Sequence, residues 1–489
     1  MCDMSKIAKR AKGSRTRLTS ENLEALGARR LAELLMELAE NNAAATRRLR
    51  LELVAKEAPE DVAAEVGKRL GQIARAGSFI HGHNVREFAT DLDTQRRAIV
   101  DRVAKIDAAQ ALDLMWRFMD LAETAHERCD DSSGEIGELF RVACDDLGSL
   151  AQAAKPEPAA LADRVFDALN DNGYGQYDGL IGALAPALGS SGLDHLKANF
   201  IELLKTPIER PAEDERRVIG WGLDGKIYQN ELMASRRKIT IQLALQEIAD
   251  LQGDVDAFIA QYDEQARKVP GIAATIARRL LAANRAEEAL KALDAAEHRH
   301  NGWVEFEWED ARIDTLDALG RSNEAQAARW SCFERALSRQ HLRAYLKRLP
   351  DFDDFEAEER ALKHAECRSD VLEGIAFLVS WPALERAARL VNLRAAELNG
   401  DRYEVLSPAA DALAGKYPLA ATLLLRAMID FTLTKARSSR YRHAARHFME
   451  CASLVSSIAD FGTFETHEAY AARLQAKHGR KSGFWALIP

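Results

Sequence analysis

Proline and glycine are scarce in this sequence. Its 489 residues include 12 prolines and 28 glycines, against averages of roughly 5% and 7% in globular proteins. Both residues destabilise helix interiors, so their scarcity favours a largely helical chain. Apolar residues make up 47% and charged residues 29%, values that are typical of folded proteins and exclude a wholly disordered chain.

Long apolar runs are absent, and cysteines are few and dispersed. No stretch approaches the roughly 20 apolar residues of a membrane-spanning helix, and the basic N-terminus lacks the apolar segment of a secretory signal peptide. The six cysteines stand at positions 2, 129, 144, 332, 367 and 451. This spacing excludes a secreted disulfide framework and a paired-cysteine metal site. We therefore expect a cytoplasmic protein without membrane contact.

Negative charge dominates the middle of the chain, whereas both ends are basic. The whole sequence has a net charge of −9. Because residues 1–20 and 434–489 each carry +5, the stretch between them carries −19. This balance argues against a surface built throughout for nucleic acid. It leaves two basic ends that could bind nucleic acid or an acidic partner.

Apolar residues recur every three or four positions along most of the chain, which is the period of amphipathic helices. One such stripe runs from Leu23 to Leu38 and predicts a single helix there. Residues 283–289 (ANRAEEA) recur 36 positions later as residues 319–325 (LGRSNEA), close to the 34-residue tetratricopeptide period. The sequence therefore predicts an all-α, helical-repeat fold, a tetratricopeptide-like α-solenoid with one or two helical lobes.

One domain boundary is predicted from proline content. Residues 206–217 contain two of the twelve prolines and no helical stripe, so we interpret them as a linker. The predicted organisation is then a basic, disordered arm at 1–20, an N-terminal helical lobe at 21–205 and a tetratricopeptide-like lobe at 218–489 with a basic C-terminal end.

Motifs that carry enzymatic chemistry are missing. The sequence has no P-loop, no Gly-x-Ser-x-Gly elbow, no dinucleotide fingerprint and no His-Glu-x-x-His motif. His126 and Cys129 share a predicted helix face, and His-x-His pairs occur at 81–83 and 298–300, but no set reaches the four ligands of structural zinc. The acidic cluster at 130–135 is predicted to cap a helix. We predict no catalytic, cofactor-binding or metal-binding residues, and hence no enzyme.

Residues 218–228 leave two alternatives open. They could form a small hairpin, but isolated hairpins are marginally stable, so a loop or the start of a helix is favoured.

Aromatic residues also leave two alternatives open. Trp303, Phe306 and Trp308 could line a binding groove, as could Phe352 and Phe355. Aromatic residues between helices more often belong to the core, and we favour that interpretation for both groups.

The C-terminal region combines cations with aromatic rings. The cations that we select as candidate partner-binding residues are Arg440, Arg442, Arg446, Arg480 and Lys481. Together with Phe484 and Trp485 they would suit nucleic acid or an acidic partner. The alternative is a solvated last helix on which Phe484 and Trp485 fold back as a cap.

The sequence resembles an uncharacterised family of bacterial helical proteins, domain of unknown function 6880, at residues 342–354 (LRAYLKRLPDFDD) and 377–382 (FLVSWP). Residues 440–454 and 478–485 are similar to the closing segment of that family. More distantly, residues 130–139 resemble the helical region that follows the zinc finger of bacterial SWIM proteins. The Cys-x-Cys and Cys-x-His pattern of that finger is absent, so this resemblance implies no zinc site, and neither resemblance implies a catalytic residue.

Together these features predict a non-catalytic scaffold that binds a protein partner through the concave face of the repeats, roughly residues 235–435. Trp303 and Trp308 are the candidate anchors, and the acidic middle predicts a partner rich in lysine or arginine. The alternative is a nucleic-acid-associated accessory protein that uses the basic ends. An unrecognised enzyme or a binder of a small ligand ranks lowest, and no cofactor is implied.

Overall fold

The computed structural model describes residues 18–40, 42–207, 217–222, 225–297 and 305–488. The chain divides into two compact units, Met1–Gln261 (unit 1) and Tyr262–Pro489 (unit 2). Residues 1–17 of the predicted disordered arm lie outside the described residues, as do residues 208–216 of the predicted linker.

Unit 1 is built almost wholly from helices. Its described elements are α1 (Ser20–Glu24), α2 (Ala28–Ala39), α3 (Ala43–Glu57), α4 (Val62–Ala74), α5 (Gly82–Asp101), α6 (Ala108–Met119), α7 (Ala122–Arg128), α8 (Glu135–Ala154), α9 (Pro158–Asn170), α10 (Leu180–Lys205), β1 (Val218–Gly222), β2 (Gly225–Tyr228), α11 (Gln229–Gln252) and α12 (Val255–Ala260). The apolar faces of α4 to α11 share one continuous core that runs from Val62 to Ile248. Burial of these faces, spaced at the helical period, is the main source of stability for such helices.

Local capping explains where several helices begin. The carboxylate of Asp131 accepts hydrogen bonds from the backbone N–H groups of Ile136 at 3.0 Å and Gly137 at 2.8 Å. The carboxylate of Glu157 accepts from the N–H of Ala160 at 2.7 Å. The first of these confirms that the acidic cluster at 130–135 caps a helix N-terminus, which leaves N–H groups that need acceptors.

The leucine stripe at the start of the chain forms two helices, so the prediction of one helix was wrong. Gly27, between α1 and α2, adopts φ 79° and ψ 155°, a non-helical conformation with positive φ that glycine adopts without steric cost. The period of the apolar residues does not reveal such a break, because their spacing continues across it.

The segment 218–228 forms a hairpin, so the favoured loop was also wrong. Strands β1 and β2 pair antiparallel, with Trp221 opposite Lys226 and the Lys226 ammonium 5.7 Å from the ring centroid. The second strand leads directly into α11. Trp221 is 75% exposed, so its ring is covered little by the rest of the protein.

Unit 2 continues the helical architecture. Its described helices are α13 (Glu264–Arg267), α14 (Pro270–Ala282), α15 (Ala286–Asp294), α16 (Phe306–Ala318), α17 (Ser322–Ala336), α18 (Arg339–Leu346), α19 (Asp353–Glu366), α20 (Val371–Ser380), α21 (Leu384–Leu393), α22 (Tyr403–Ala414), α23 (Pro418–Thr434), α24 (Tyr441–Leu454), α25 (His467–His478) and α26 (Ser482–Trp485). A second core extends from Phe333 to Phe484. Among the helices of the described ranges, none is long and apolar enough to cross a membrane.

The two copies of the sequence repeat form the same turn. In the first copy Asn284 adopts φ 59° and the N–H of Arg285 donates to the carbonyl of Leu280 at 2.8 Å. In the second copy Gly320 adopts φ 71°, and the N–H of Arg321 makes the corresponding bond at 2.9 Å. Each arginine also pairs with the glutamate three residues later, at 2.7 and 2.6 Å. This pattern closes one helix with a left-handed residue and opens the next.

Helices of unit 2 pack mainly on their close neighbours along the chain. Helix α14 contacts both α15 and α16, and α16 contacts α17. The same relation holds for α20, which contacts α21 and α22. Packing between successive helix pairs is the defining feature of helical repeats. The predicted all-α, helical-repeat fold is confirmed.

The division between the units falls later in the chain than the predicted linker. It lies between Gln261 and Tyr262. Helices α10 and α11 flank residues 206–217 and pack against each other within unit 1. Because α10 and α11 pack together, the segment at 206–217 lies within unit 1. It does not mark the division between the two compact units. The role of the segment as a linker stays a prediction.

Cysteine reactivity should follow burial. Burial raises the pKa of the thiols of Cys144, Cys332 and Cys451 to about 12, whereas Cys367 is exposed. At pH 8 we expect iodoacetamide to alkylate Cys367 of the native protein at least roughly ten times faster than the three buried cysteines, because the accessible thiolate is the reactive form. Mass spectrometry after timed labelling measures the rates, and protein denatured in guanidinium is the control. Equal native labelling of Cys367 and Cys332 would contradict this expectation.

Candidate interaction groove

An open groove crosses unit 2 where the ends of neighbouring helices meet. It has a volume of about 640 Å³ and lies between the start of α16, the junction of α17 with α18, and α20. The side chains that give it its character are Phe306, Arg335, Leu337, Arg339, Arg368 and Phe377. We call it the arginine groove. It lies within the region 235–435 that the sequence predicts for partner binding.

The apolar part of the groove is a partly exposed ring beside a buried floor. Phe306 is 42% exposed and stacks on the ring of His341, with 5.7 Å between the ring centroids. His341 is buried and bonded through Nε2 to Oδ1 of Asp310 at 2.9 Å. Leu337 and Phe377 are buried beneath. A ring that is already held in place loses little conformational entropy when a partner packs on it.

The three arginines of the groove differ in what they already bind. Arg335 forms an ion pair with the buried carboxylate of Glu309. Arg368 pairs with Glu373 at 2.7 Å and donates to the backbone carbonyl of Arg335 at 3.1 Å. Arg339, the first residue of α18, is exposed, and no hydrogen bond or ion pair joins it to another described residue. Its donors are therefore free to meet an acceptor on a partner.

The local charge of the groove differs from the charge of the sequence around it. Three arginines and one glutamate, Glu373, line the groove, although residues 21–433 carry a net charge of −19. Arg335 lies on α17, Arg339 on α18 and Arg368 in the connection between α19 and α20, so an average over the chain does not describe this surface. The lining of the groove is therefore positively charged, in contrast to the negative average from which a basic partner was predicted.

Trp308, a predicted anchor, belongs mainly to the packing of the repeats. It lines an adjoining cavity of about 600 Å³, but only 9% of the residue is exposed. Its indole Nε1 donates to the carbonyl of Leu293 at 3.1 Å, which ties the start of α16 to the end of α15. Trp303 lies outside the described residues. The anchoring role of both tryptophans stays a prediction.

The predicted basic residues near the C-terminus occupy different surroundings. Arg440 pairs with Asp401 at 2.7 Å and lies 5.1 Å from the ring centroid of Tyr403. Lys481 approaches the hydroxyl of Tyr441 at 3.5 Å. The exposed members of the set are Arg442, Arg446 and Arg480. Of the five predicted cations, only these three form no ion pair or hydrogen bond with another described residue.

The aromatic rings beside these cations fold inward. Phe484 is fully buried and packs edge to face with Phe448, with 6.4 Å between the ring centroids. The indole Nε1 of Trp485 donates to the carbonyl of His478 at 3.0 Å. This is the capping alternative of the sequence prediction. Phe484 is consequently unavailable for stacking on a nucleic-acid base.

Three aromatic residues that we assigned to the core are exposed instead. One is Phe306, which is 42% exposed. Phe352 is 86% exposed and Phe355 is 73% exposed. Phe352 adopts φ 77°, a left-handed conformation that costs a residue with a side chain roughly 1–2 kcal/mol. The neighbouring residues Pro350 and Asp351 could have indicated the exposure of Phe352 and Phe355, because they are typical of a turn and not of a packed helix.

The candidate metal ligands face other groups. The ring of His126 stacks on that of Tyr174, with 4.8 Å between centroids, and the thiol of Cys129 donates to the carbonyl of Ala125 at 3.1 Å. The pair at 298–300 lies outside the described residues, as does the side chain of His83. Within the described ranges no three His, Cys, Asp or Glu side chains are grouped to hold a metal ion.

Comparison with known proteins identifies the family. Residues 13–487 match a family described as "Family of unknown function (DUF6880)". The chain belongs to this family. The match spans nearly the whole DUF6880 chain, both units included, and confirms the resemblance noted from residues 342–354 and 377–382. No curated protein matches the chain.

One solved structure is similar over most of its length. It is titled "Circular tandem repeat protein with novel repeat topology and enhanced subunit contact surfaces", is 14% identical and covers 94% of each chain, with a TM-score of 0.16. At that TM-score the similarity carries no argument about this DUF6880 protein. The distant resemblance of residues 130–139 to SWIM proteins finds no support among these matches.

Proposed function

We propose that this DUF6880 protein is a non-catalytic scaffold that binds a protein partner in the arginine groove. The observation that carries the proposal is the exposed, unpartnered Arg339 beside the partly exposed Phe306 on a stack of helix pairs. Helical repeats typically bind extended or helical segments along such surfaces, since the lining can vary without disturbing the stacking.

The groove specifies the chemistry of the partner. Arg339 offers a planar fork of donors that matches a carboxylate, and Phe306 offers an apolar face next to it. A partner segment that places an apolar side chain beside Asp or Glu would meet both. We expect the apolar contact to supply most of the affinity and the charge to supply orientation and association rate.

Reversal of one charge tests the groove. We expect Arg339→Glu to weaken partner binding roughly tenfold or more, because it opposes an acidic segment with a like charge. The matched control is Arg389→Glu, which makes the same change at an exposed position on α21 outside the groove. Full-length tagged protein is recovered from the native host, bound proteins are identified by mass spectrometry, and calorimetry on the purified partner measures the dissociation constants.

The expected result is a partner that the wild-type protein and Arg389→Glu both retain and that Arg339→Glu loses. The competing hypothesis, binding through the basic C-terminal surface, is examined with Arg442→Glu, Arg446→Glu and Arg480→Glu combined. This triple variant is preferable to deletion of the C-terminus, because deletion would remove the buried Phe484. If binding is lost in the triple variant, or on nuclease treatment, and survives in Arg339→Glu, the groove is not the binding site.

A further inference from the structure

A cavity in unit 1 is lined by four cations, Arg47, Arg50, Lys68 and Arg69. The first two belong to α3 and the other two to α4, and we call it the α3–α4 cavity. Its volume is about 350 Å³, within the range of roughly 300–1,000 Å³ that is typical of small-molecule sites. The cavity therefore has room for a small ligand.

Two of the four cations are held in place by one buried carboxylate. Asp91 on α5, whose side chain is 2% exposed, accepts from Nε of Arg47 at 3.2 Å and from Nε of Arg69 at 3.1 Å. Nη1 of Arg69 also donates to Oε1 of Gln72 at 3.1 Å, whereas Nη1 of Arg47 makes no hydrogen bond with another described residue. Donors that are fixed in advance lose little conformational entropy when a ligand binds them.

The other two cations are free to contact a ligand. Arg50 is exposed, and no hydrogen bond or ion pair joins it to another described residue. Lys68 lies 3.9 Å from the carboxylate of Glu65, and the two side chains are 67% and 51% exposed. Solvent-exposed pairs at such a distance are weak. Lys68 can therefore exchange Glu65 for the anionic group of a ligand.

The charge of the α3–α4 cavity is unbalanced. The carboxylates that contact its four cations are those of Asp91 and Glu65, which leaves a net charge of +2. A single carboxylate group on a ligand would neutralise half of this charge. A phosphate monoester, with a charge of about −1.5 to −2 at pH 7 and three acceptor oxygens, would neutralise most of it. The charge and the number of free donors therefore favour a phosphate group.

An apolar surface accompanies the cations. Leu51 and Val54 line the cavity and are partly buried against the core of unit 1. Small-molecule sites typically combine such apolar side chains with a few polar groups that fix the orientation of the ligand. Contact with Leu51 and Val54 would remove apolar surface of a ligand from water. These two residues favour a phosphate that is attached to an organic group over inorganic phosphate.

We propose that this DUF6880 protein binds a small phosphorylated organic molecule in the α3–α4 cavity. The phosphate accepts hydrogen bonds from the free donors of Arg47, Arg50 and Lys68, and the organic group packs on Leu51 and Val54. This binding goes beyond the proposed function, because no residue of the arginine groove takes part in it.

Calorimetric titration of the full chain with phenyl phosphate at pH 8 tests the proposal. Benzoate is one comparison ligand, because it carries the same ring with a single negative charge, and inorganic phosphate is the other, because it lacks the ring. We expect phenyl phosphate to bind roughly ten times more tightly than benzoate, since more charge and more acceptors meet the cations. Inorganic phosphate should also bind more weakly than phenyl phosphate, because it makes no apolar contact.

Paired substitutions locate the site. Arg50→Gln combined with Lys68→Gln should weaken the binding of phenyl phosphate roughly tenfold or more, because both free side chains are lost. The matched control combines Lys56→Gln with Arg86→Gln, which removes the same charges at exposed positions on α3 and α5 outside the cavity. This control should retain the wild-type dissociation constant. All four side chains are exposed, so we expect the variants to fold, and circular dichroism checks this.

A direct measurement complements calorimetry. The ³¹P signal of phenyl phosphate should broaden in the presence of the wild-type protein and of the control, and it should stay sharp with the Arg50 and Lys68 variant. No heat and no broadening with wild-type protein at about 10 mM phenyl phosphate would overturn the proposal. Equal affinity for phenyl phosphate and either comparison ligand would overturn it too. So would equal weakening in both paired variants, since that result would reflect net charge alone.

Discussion

Gly400→Ala is expected to lower the free energy of unfolding of unit 2 by about 3 kcal/mol or more. A Cβ atom at this position would lie 2.0 Å from the backbone oxygen of Ala427 and 2.6 Å from Cβ of Phe431. Both belong to α23, so the turn before α22 can accept a side chain only if it moves away from that helix. Interiors are packed too tightly to absorb such a shift without loss of contacts.

Gly415→Ala is the matched control for this prediction. Gly415 has helical backbone angles, φ −70° and ψ −39°, and no atom lies within 4 Å of a Cβ added there. The same substitution should therefore be neutral or stabilise by about 0.5–1 kcal/mol. Urea unfolding followed by circular dichroism compares the two variants with the parent. Similar midpoints for Gly400→Ala and Gly415→Ala would show that the turn before α22 does not approach α23 as closely as the structure indicates.

Asp91→Ala should destabilise unit 1 by about 2 to 3 kcal/mol. The carboxylate of Asp91 is 2% exposed and joins three helices. Arg47 on α3 contacts it at 2.9 Å and Arg69 on α4 at 2.5 Å, while Asp91 itself belongs to α5. Its removal leaves two guanidinium groups close together without a counter-charge. The arginines are partly exposed, so water screens part of their repulsion and the effect stays below that of a fully buried pair.

The control for this second prediction is Asp113→Ala. Asp113 pairs with Arg164 at 3.7 Å, with side chains 61% and 42% exposed, so its loss should change the free energy of unfolding by less than about 0.5 kcal/mol. Urea unfolding again supplies the comparison. A loss at Asp91 no larger than that at Asp113 would mean that the three helices do not depend on this carboxylate.

The sequence alone determined the class of the fold and its repeat. Low proline content and apolar residues at the helical period are properties of each segment, so they predict helices without knowledge of what the helices contact. The turns at Arg285 and Arg321 were predictable for the same reason, since a left-handed residue and an ion pair between residues three apart depend on a few neighbouring positions. The cap at Asp131 is another local feature that the sequence specified.

Tertiary structure decided which side chains are exposed and which side chains contact each other. Trp308 and Phe352 are both aromatic, yet the first is buried by a neighbouring helix pair and the second projects from a turn. The arginine groove is lined by residues of several helices and of the turns between them. Composition and periodicity report what each segment can form, whereas exposure, net local charge and unpaired donors depend on contacts between segments far apart in the chain.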